Sequence, residues 1–134
     1  KTKLKKGDFV YSVKIPINKK NFFKAYKISK RFDDDISTVC ASFNMLIQNN
    51  KIVKAKIAYG GMSEIPKRAI SIEKKLVNSI FSEKVFLKAQ NLIRNDFSPI
   101  DDMRGSKNYR IEIARNLLMK FFYEINTQKN IRVN

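Results

Sequence analysis

The residues best suited to chemistry crowd into one stretch, Lys27-Ile28-Ser29-Lys30-Arg31-Phe32-Asp33-Asp34-Asp35. Three cations stand beside three carboxylates, between segments that alternate like strands. Consecutive Asp residues are poor strand and helix formers and favour turns and caps. The stretch therefore reads as a charged loop between two strands, a common place for function. The plainer reading is a polar turn that keeps a hairpin soluble. A second constellation runs Asp101-Asp102-Met103-Arg104-Gly105-Ser106-Lys107-Asn108-Tyr109-Arg110. Here acids, a glycine and a helix start meet, and the plain reading is a capping turn in which Arg104 pairs with a nearby carboxylate. Paired carboxylates can do acid–base work, but adjacent Asp residues in a loop are far more often solvated than catalytic. Neither constellation specifies a reaction, and no catalytic residue is assigned.

Composition excludes several other chemistries. The chain has no histidine and a single cysteine, Cys40. No internal disulfide can form, no ordinary zinc or iron site is available, and a Ser-His or Cys-His pair is excluded within the chain. Cys40 follows Val39 in a strand-like run and is expected as a small core residue. Twenty-eight Lys and Arg against twelve Asp and Glu give a formal charge of +16. That raises a nucleic-acid-binding module as the alternative function. Against it, the basic residues are scattered from Lys1 to Arg132 and often alternate with apolar ones, as in Ile52-Val53-Lys54-Ala55-Lys56-Ile57. No apolar run reaches the length of a membrane span. The lack of disulfides and of a signal peptide suits a reducing cytoplasm. The chain opens on Lys1 rather than Met, which leaves open a processed piece, a truncation or the ordered part of something larger.

The elements that must position these residues divide cleanly. Asp8 to Ile15 alternates as a strand ended by Pro16, Asn18 to Asn21 forms a turn, and Phe22 to Ile28 is again strand-like. Ile36 to Ile47 and Ile52 to Tyr59 form a hairpin through Asn49-Asn50, with Ile52 sharing a face with Lys54 and Lys56. Gly60-Gly61 bends the chain away. Helices are predicted from Arg68 to Val77, from Ser82 through a stripe of Val85, Leu87, Ala89, Leu92 and Ile93, and from a Ser106 cap to about Asn126. The tail beyond is expected to fray. Strands first and helices second predict a single α+β domain over 1–134: an antiparallel sheet of three to four strands in the N-terminal half, one face covered by C-terminal helices. Within it, 1–16 is a hand-over strand, 17–62 the sheet, 68–126 the helices and 127–134 the tail.

Three motifs carry a resemblance: Tyr26-Lys27-Ile28-Ser29-Lys30-Arg31-Phe32-Asp33-Asp34-Asp35-Ile36, Ile57-Ala58-Tyr59-Gly60-Gly61-Met62, and Asp102-Met103-Arg104-Gly105-Ser106 with Tyr109-Arg110. In order and spacing the chain resembles the C-terminal domain of the FAD subunit of xanthine dehydrogenase. More broadly it resembles the flavoprotein component of molybdenum hydroxylases, which include carbon monoxide dehydrogenase. Gly7-Asp8-Phe9 through Ile15-Pro16 is similar to the hand-over from the preceding flavin-binding subdomain. The likeness thins through Ser71 to Ile100. It implies a domain that completes a flavin pocket built mostly by that other subdomain, which grips most of the FAD. It implies iron-sulfur and molybdopterin parts elsewhere in an oligomeric complex, and electrons passing from purine oxidation to NAD or another acceptor. By resemblance Val10, Lys27 and Asp34 lie at the cofactor, and Lys30, Arg31, Phe32, Asp33 and Asp35 belong to a loop where the acceptor approaches. Phe32 departs from the pattern, since some relatives carry a basic residue there.

Overall fold

A computed structural model describes residues 3–17, 20–31 and 34–128. Its centre is a hairpin: β2 (Val39–Gln48) and β3 (Lys51–Gly60) run antiparallel through Asn49 and Asn50, both at positive φ. Asn tolerates that backbone through local hydrogen bonding, which suits a two-residue turn between right-twisted strands. β1 (Phe22–Ile28) pairs with β2 on one side, and the short β4 (Lys67–Arg68) pairs with β3 on the other, so the order is β1-β2-β3-β4. Helices α1 (Ile70–Leu76), α2 (Glu83–Gln90), α3 (Ile93–Asp96) and α4 (Lys107–Thr127) follow. The expected antiparallel sheet with C-terminal helices is what forms.

Alternation along the strands decides which face the helices cover. Val39, Ala41, Phe43 and Met45 of β2 are buried on one face, with Ile57 and Tyr59 of β3 beside them. α4 lays Ile111, Ala114, Leu117, Leu118 and Phe121 over them. Phe43 forms the junction: its ring stacks on Phe121 at 5.1 Å and meets Tyr59 edge-on at 5.9 Å. The opposite face carries no helix and presents small side chains, Ala25, Cys40, Ser42 and Ala58, ringed by Phe23, Lys27 and Lys56.

Several expectations change. Cys40 is exposed on the open face: with Val39 and Ala41 turned inward, a period of two leaves it no place in the core. Ile52 is buried rather than level with Lys54, because the register shifts opposite Leu46 and Ile47, leaving Val53 as an extra residue that turns Ile52 to the core. Lys67 and Arg68 are strand, and the first helix begins only at Ile70. The second predicted helix breaks after Gln90 into α2 and α3 and buries Phe86 in place of the exposed Leu87. Asp8 to Ile15 forms no strand. Among the described residues it has no ladder partner, and Phe9, Val10, Tyr11, Val13 and Ile15 are all exposed. Part of the Asn18–Asn21 turn and the chain beyond Gln128 lie outside the described residues.

Phe43→Ala should lower the unfolding free energy by about 3–5 kcal/mol, the usual loss for a fully buried aromatic, whereas Phe23→Ala on the open face should change it by less than about 0.5 kcal/mol. Urea melts of the two variants check this contrast.

Candidate functional site

α4 starts where two short-range caps converge. Ser106 Oγ accepts the Tyr109 amide at 3.2 Å, and Asp101 Oδ1 accepts the Lys107 amide at 2.7 Å. The predicted Ser106 cap is therefore present. One turn in, Arg110 occupies the core-facing stripe it shares with Ala114 and Leu117, and only 3 % of it is exposed. A buried guanidinium needs nearly all its donors satisfied. Arg110 satisfies them by joining the start of β2, the Gly61 bend and the Asp102–Gly105 turn. Nη1 donates to the carbonyl of Thr38 at 2.5 Å and to that of Gly61 at 2.8 Å. Nη2 donates to Asp102 Oδ1 at 2.5 Å, and Nε to the Gly105 carbonyl at 3.4 Å.

Space is prohibitive for a side chain at one glycine of this junction and tight at the other. Gly61 has φ of +78°, and a Cβ there would run into the Thr38 carbonyl oxygen. A Cβ on Gly105 would stand 3.0 Å from the Thr38 methyl and 3.1 Å from the Tyr109 ring. The expected partner of the acids, Arg104, contributes its backbone instead: its amide donates to Asp102 Oδ1 at 2.8 Å. Asp102 is held below the usual carboxylate range by that amide first, then by the Arg110 guanidinium and the Gly105 amide.

The charged loop is fastened to this turn. Lys30 Nζ donates to the Met103 carbonyl at 2.6 Å, and Thr38 Oγ1 to the Arg104 carbonyl at 3.2 Å. Asp35 folds back on its own loop, accepting the Arg31 amide at 3.1 Å and the Ile36 amide at 2.9 Å. The Arg31 amide leads in holding the Asp35 carboxyl below its ordinary pKa, with Ile36 and the charges of Arg31 and Arg104 adding to it. Asp34 takes a left-handed backbone, φ 47°. Between loop and turn lies a surface pocket of about 260 Å³ lined by Ser29, Lys30, Thr38, Arg104, Gly105 and Tyr109.

The eight residues singled out in the sequence are thus not one cluster. Lys30, Arg31, Asp34 and Asp35 share the loop; Phe32 and Asp33 lie outside the described residues. Lys27 precedes the loop on the open sheet face, opposite Cys40, and among the described residues its ammonium has no ion pair. Val10 is 66 % exposed in the unpaired N-terminal segment. A planar aromatic ring fits the open face, because Ala25, Cys40, Ser42 and Gly60 keep it low; even a Cβ on Gly60 would reach only Cys40 Cβ, at 3.8 Å. Arg110 itself is visible in the sequence as a cation on an otherwise apolar helical stripe, a position that demands a buried partner. Among the described residues no group of His, Cys, Asp and Glu could hold a metal ion, and no helix is long and apolar enough to cross a membrane.

Residues 24–125 match the family model described as the CO dehydrogenase flavoprotein C-terminal domain. The chain is 27% identical over 124 residues to the glyceraldehyde dehydrogenase medium chain of Sulfolobus acidocaldarius, covering 92% of this chain and 44% of that one. It is 28% identical over 127 residues to the xanthine dehydrogenase/oxidase of Gallus gallus, covering 92% of this chain and 9% of that one. Its fold is similar to a crystal structure of quinoline 2-oxidoreductase from Pseudomonas putida 86, with a TM-score of 0.71 and 24% identity over 82% of this chain and 38% of the other. The chain spans less than half the length of each of these proteins.

Folding lowers the Asp102 carboxyl pKa, so its contribution to stability is complete above the unfolded value of about 4 and disappears as pH falls through the lower folded value. Asp102→Asn should therefore be less stable than the parent by a constant margin from pH 7 down to about 5, a margin that closes as the pH falls further. Denaturant melts across that range check the trend; a margin independent of pH to the acid limit would show that the carboxylate charge is not what Arg110 holds.

Proposed function

The chain belongs to the CO dehydrogenase flavoprotein C-terminal domain family, and we propose that it completes the FAD pocket of a molybdenum-hydroxylase complex of xanthine dehydrogenase type. Electrons from purine oxidation at the molybdenum subunit would leave through this pocket to NAD or another acceptor. Bound FAD supplies the two-electron relay between those centres. The chain's own residues bind, orient and screen.

The observation that carries this reading is Lys27, without an ion pair among the described residues, on a low, helix-free sheet face directly before the charged loop. A positive charge at a flavin's carbonyl edge favours the reduced, more negative ring. The loop bearing Asp34 and Asp35 stands next along the chain and presents negative charge on the path an acceptor would take. Arg110, Lys30 and Thr38 fasten its two ends to the Asp102–Gly105 turn, so both ends are anchored. The exposed apolar side chains from Phe9 to Ile15 suit contact with a flavin-binding subdomain, which Val10 would join at the cofactor. The molybdopterin-binding subunit and the remaining subunits complete the proposed assembly.

Two outcomes test the reading. The chain by itself should bind FAD weakly or not at all, since no phosphate-cradling glycine loop is present in its sequence; submicromolar binding in a fluorescence titration would contradict the shared pocket. In the flavin-containing assembly, Lys27→Ala should lower the flavin reduction potential while purine oxidation at molybdenum persists. Spectroelectrochemistry with an artificial acceptor measures both, and an unchanged potential would reject Lys27 as a flavin contact.

A further inference from the structure

The core-facing side of the sheet holds a carboxylate that the proposed flavin pocket does not use. Glu124 lies near the end of α4, on the stripe it shares with Leu117 and Phe121, and is 5 % exposed. A buried carboxylate is retained only with close partners. Its partners include both core-facing polar residues of β1. The Tyr26 hydroxyl donates to Glu124 Oε2 at 2.8 Å, and Lys24 Nζ stands 3.5 Å from the same oxygen. Lys120, one helical turn back, reaches Oε1 at 2.6 Å, and its ammonium lies 5.3 Å from the centre of the Tyr26 ring. That ring also packs on Phe43, 5.8 Å between centroids.

Among the described residues β1 is an edge strand, with ladder bonds to β2 alone. Its outward backbone groups have no strand partner there, and such edges open at low free-energy cost. Tyr26 and Lys27 are neighbours on this strand and point to opposite faces. A grip on Tyr26 from below therefore fixes where Lys27 stands above. We propose that Glu124 is a positioning residue for Lys27: it pins the edge strand to α4 through Lys24 and Tyr26, and so sets the height and register of the ammonium on the open face. This rests on the reading that Lys27 meets the flavin.

The test uses Glu124→Gln and Tyr26→Phe. The second keeps the ring on Phe43 and removes only the hydroxyl, so it stays informative if the first folds poorly. Hydrogen exchange of the chain should show the ladder amides of β1 opening at least tenfold faster in Glu124→Gln, and less so in Tyr26→Phe, while amides in the β2–β3 ladder keep their rates. Equal acceleration of all strands, or no acceleration in either variant, would overturn the proposal. In the flavin-containing assembly Glu124→Gln should move the flavin potential, and it should add nothing in a Lys27→Ala background. A shift that persists without Lys27 would overturn the proposal, because the effect would then not run through that residue. Lys27→Ala effective with Glu124→Gln silent would overturn it while leaving the flavin reading intact; Lys27→Ala itself silent would overturn both.

Discussion

One buried guanidinium holds the functional end of this domain together. Arg110 reaches three chain segments far apart in sequence: the start of β2 at Thr38, the bend at Gly61 and the turn from Asp102 to Gly105. The chain bends at each of these points, beside the Thr38 amide's bond to the Ile28 carbonyl and the mutual backbone bonds of Asp102 and Gly105. A planar fork with fixed donor directions can satisfy several carbonyls and a carboxylate at once, which an ammonium cannot. Gly61 follows from the same constraint, since Thr38 and Arg110 occupy the space where a side chain there would go. Removing the guanidinium would take the Arg110 donors from the Thr38 and Gly61 carbonyls and the counter-charge from Asp102, the costly half of breaking such a pair.

From this junction the sheet acts as a divider. Below it, the aromatic cluster of Phe43, Tyr59, Phe97 and Phe121 and the apolar stripe of α4 supply the burial. Two further carboxylates tie elements together, Glu73 joining α1 to the sheet and Asp96 joining α3 to α1. Glu73 accepts the Ile57 amide and pairs with Arg68; Asp96 accepts the amides of Ser71 and Ile72 at the start of α1. Above the sheet the central side chains are short, and Phe23, Lys27 and Lys56 around them are exposed. The proposed function places flavin there, and the anchored loop beside it.

Much of the fold was legible because the apolar pattern changes period once, from two to about four, at the bend after β3. The hairpin, β1 and α4 follow from that pattern and from the Asn49-Asn50 turn. Failures occurred where a local rule met a non-local constraint. The alternation of Asp8 to Ile15 is a strand signature, yet among the described residues the segment pairs with no strand. The bulge at Val53 reversed the face of Ile52, which no count of alternation shows. Cys40 was assigned by residue type, and its phase along β2 overruled that. The candidate loop was visible as a charge cluster and by resemblance. Arg110, which fastens the loop's far end, and Glu124, which grips β1, look misplaced in a helical stripe until their partners are seen.

The central claim is that the open sheet face around Lys27 lies against the flavin. Cys40 stands opposite Lys27 on the neighbouring strand, exposed on that face, and it is the chain's single cysteine. The most direct measurement is the alkylation rate of Cys40, read by peptide mass spectrometry, in the flavin-loaded assembly and again after the flavin is removed. The account predicts slow labelling with flavin bound and a clear acceleration without it. Equal, rapid labelling in both states would contradict it.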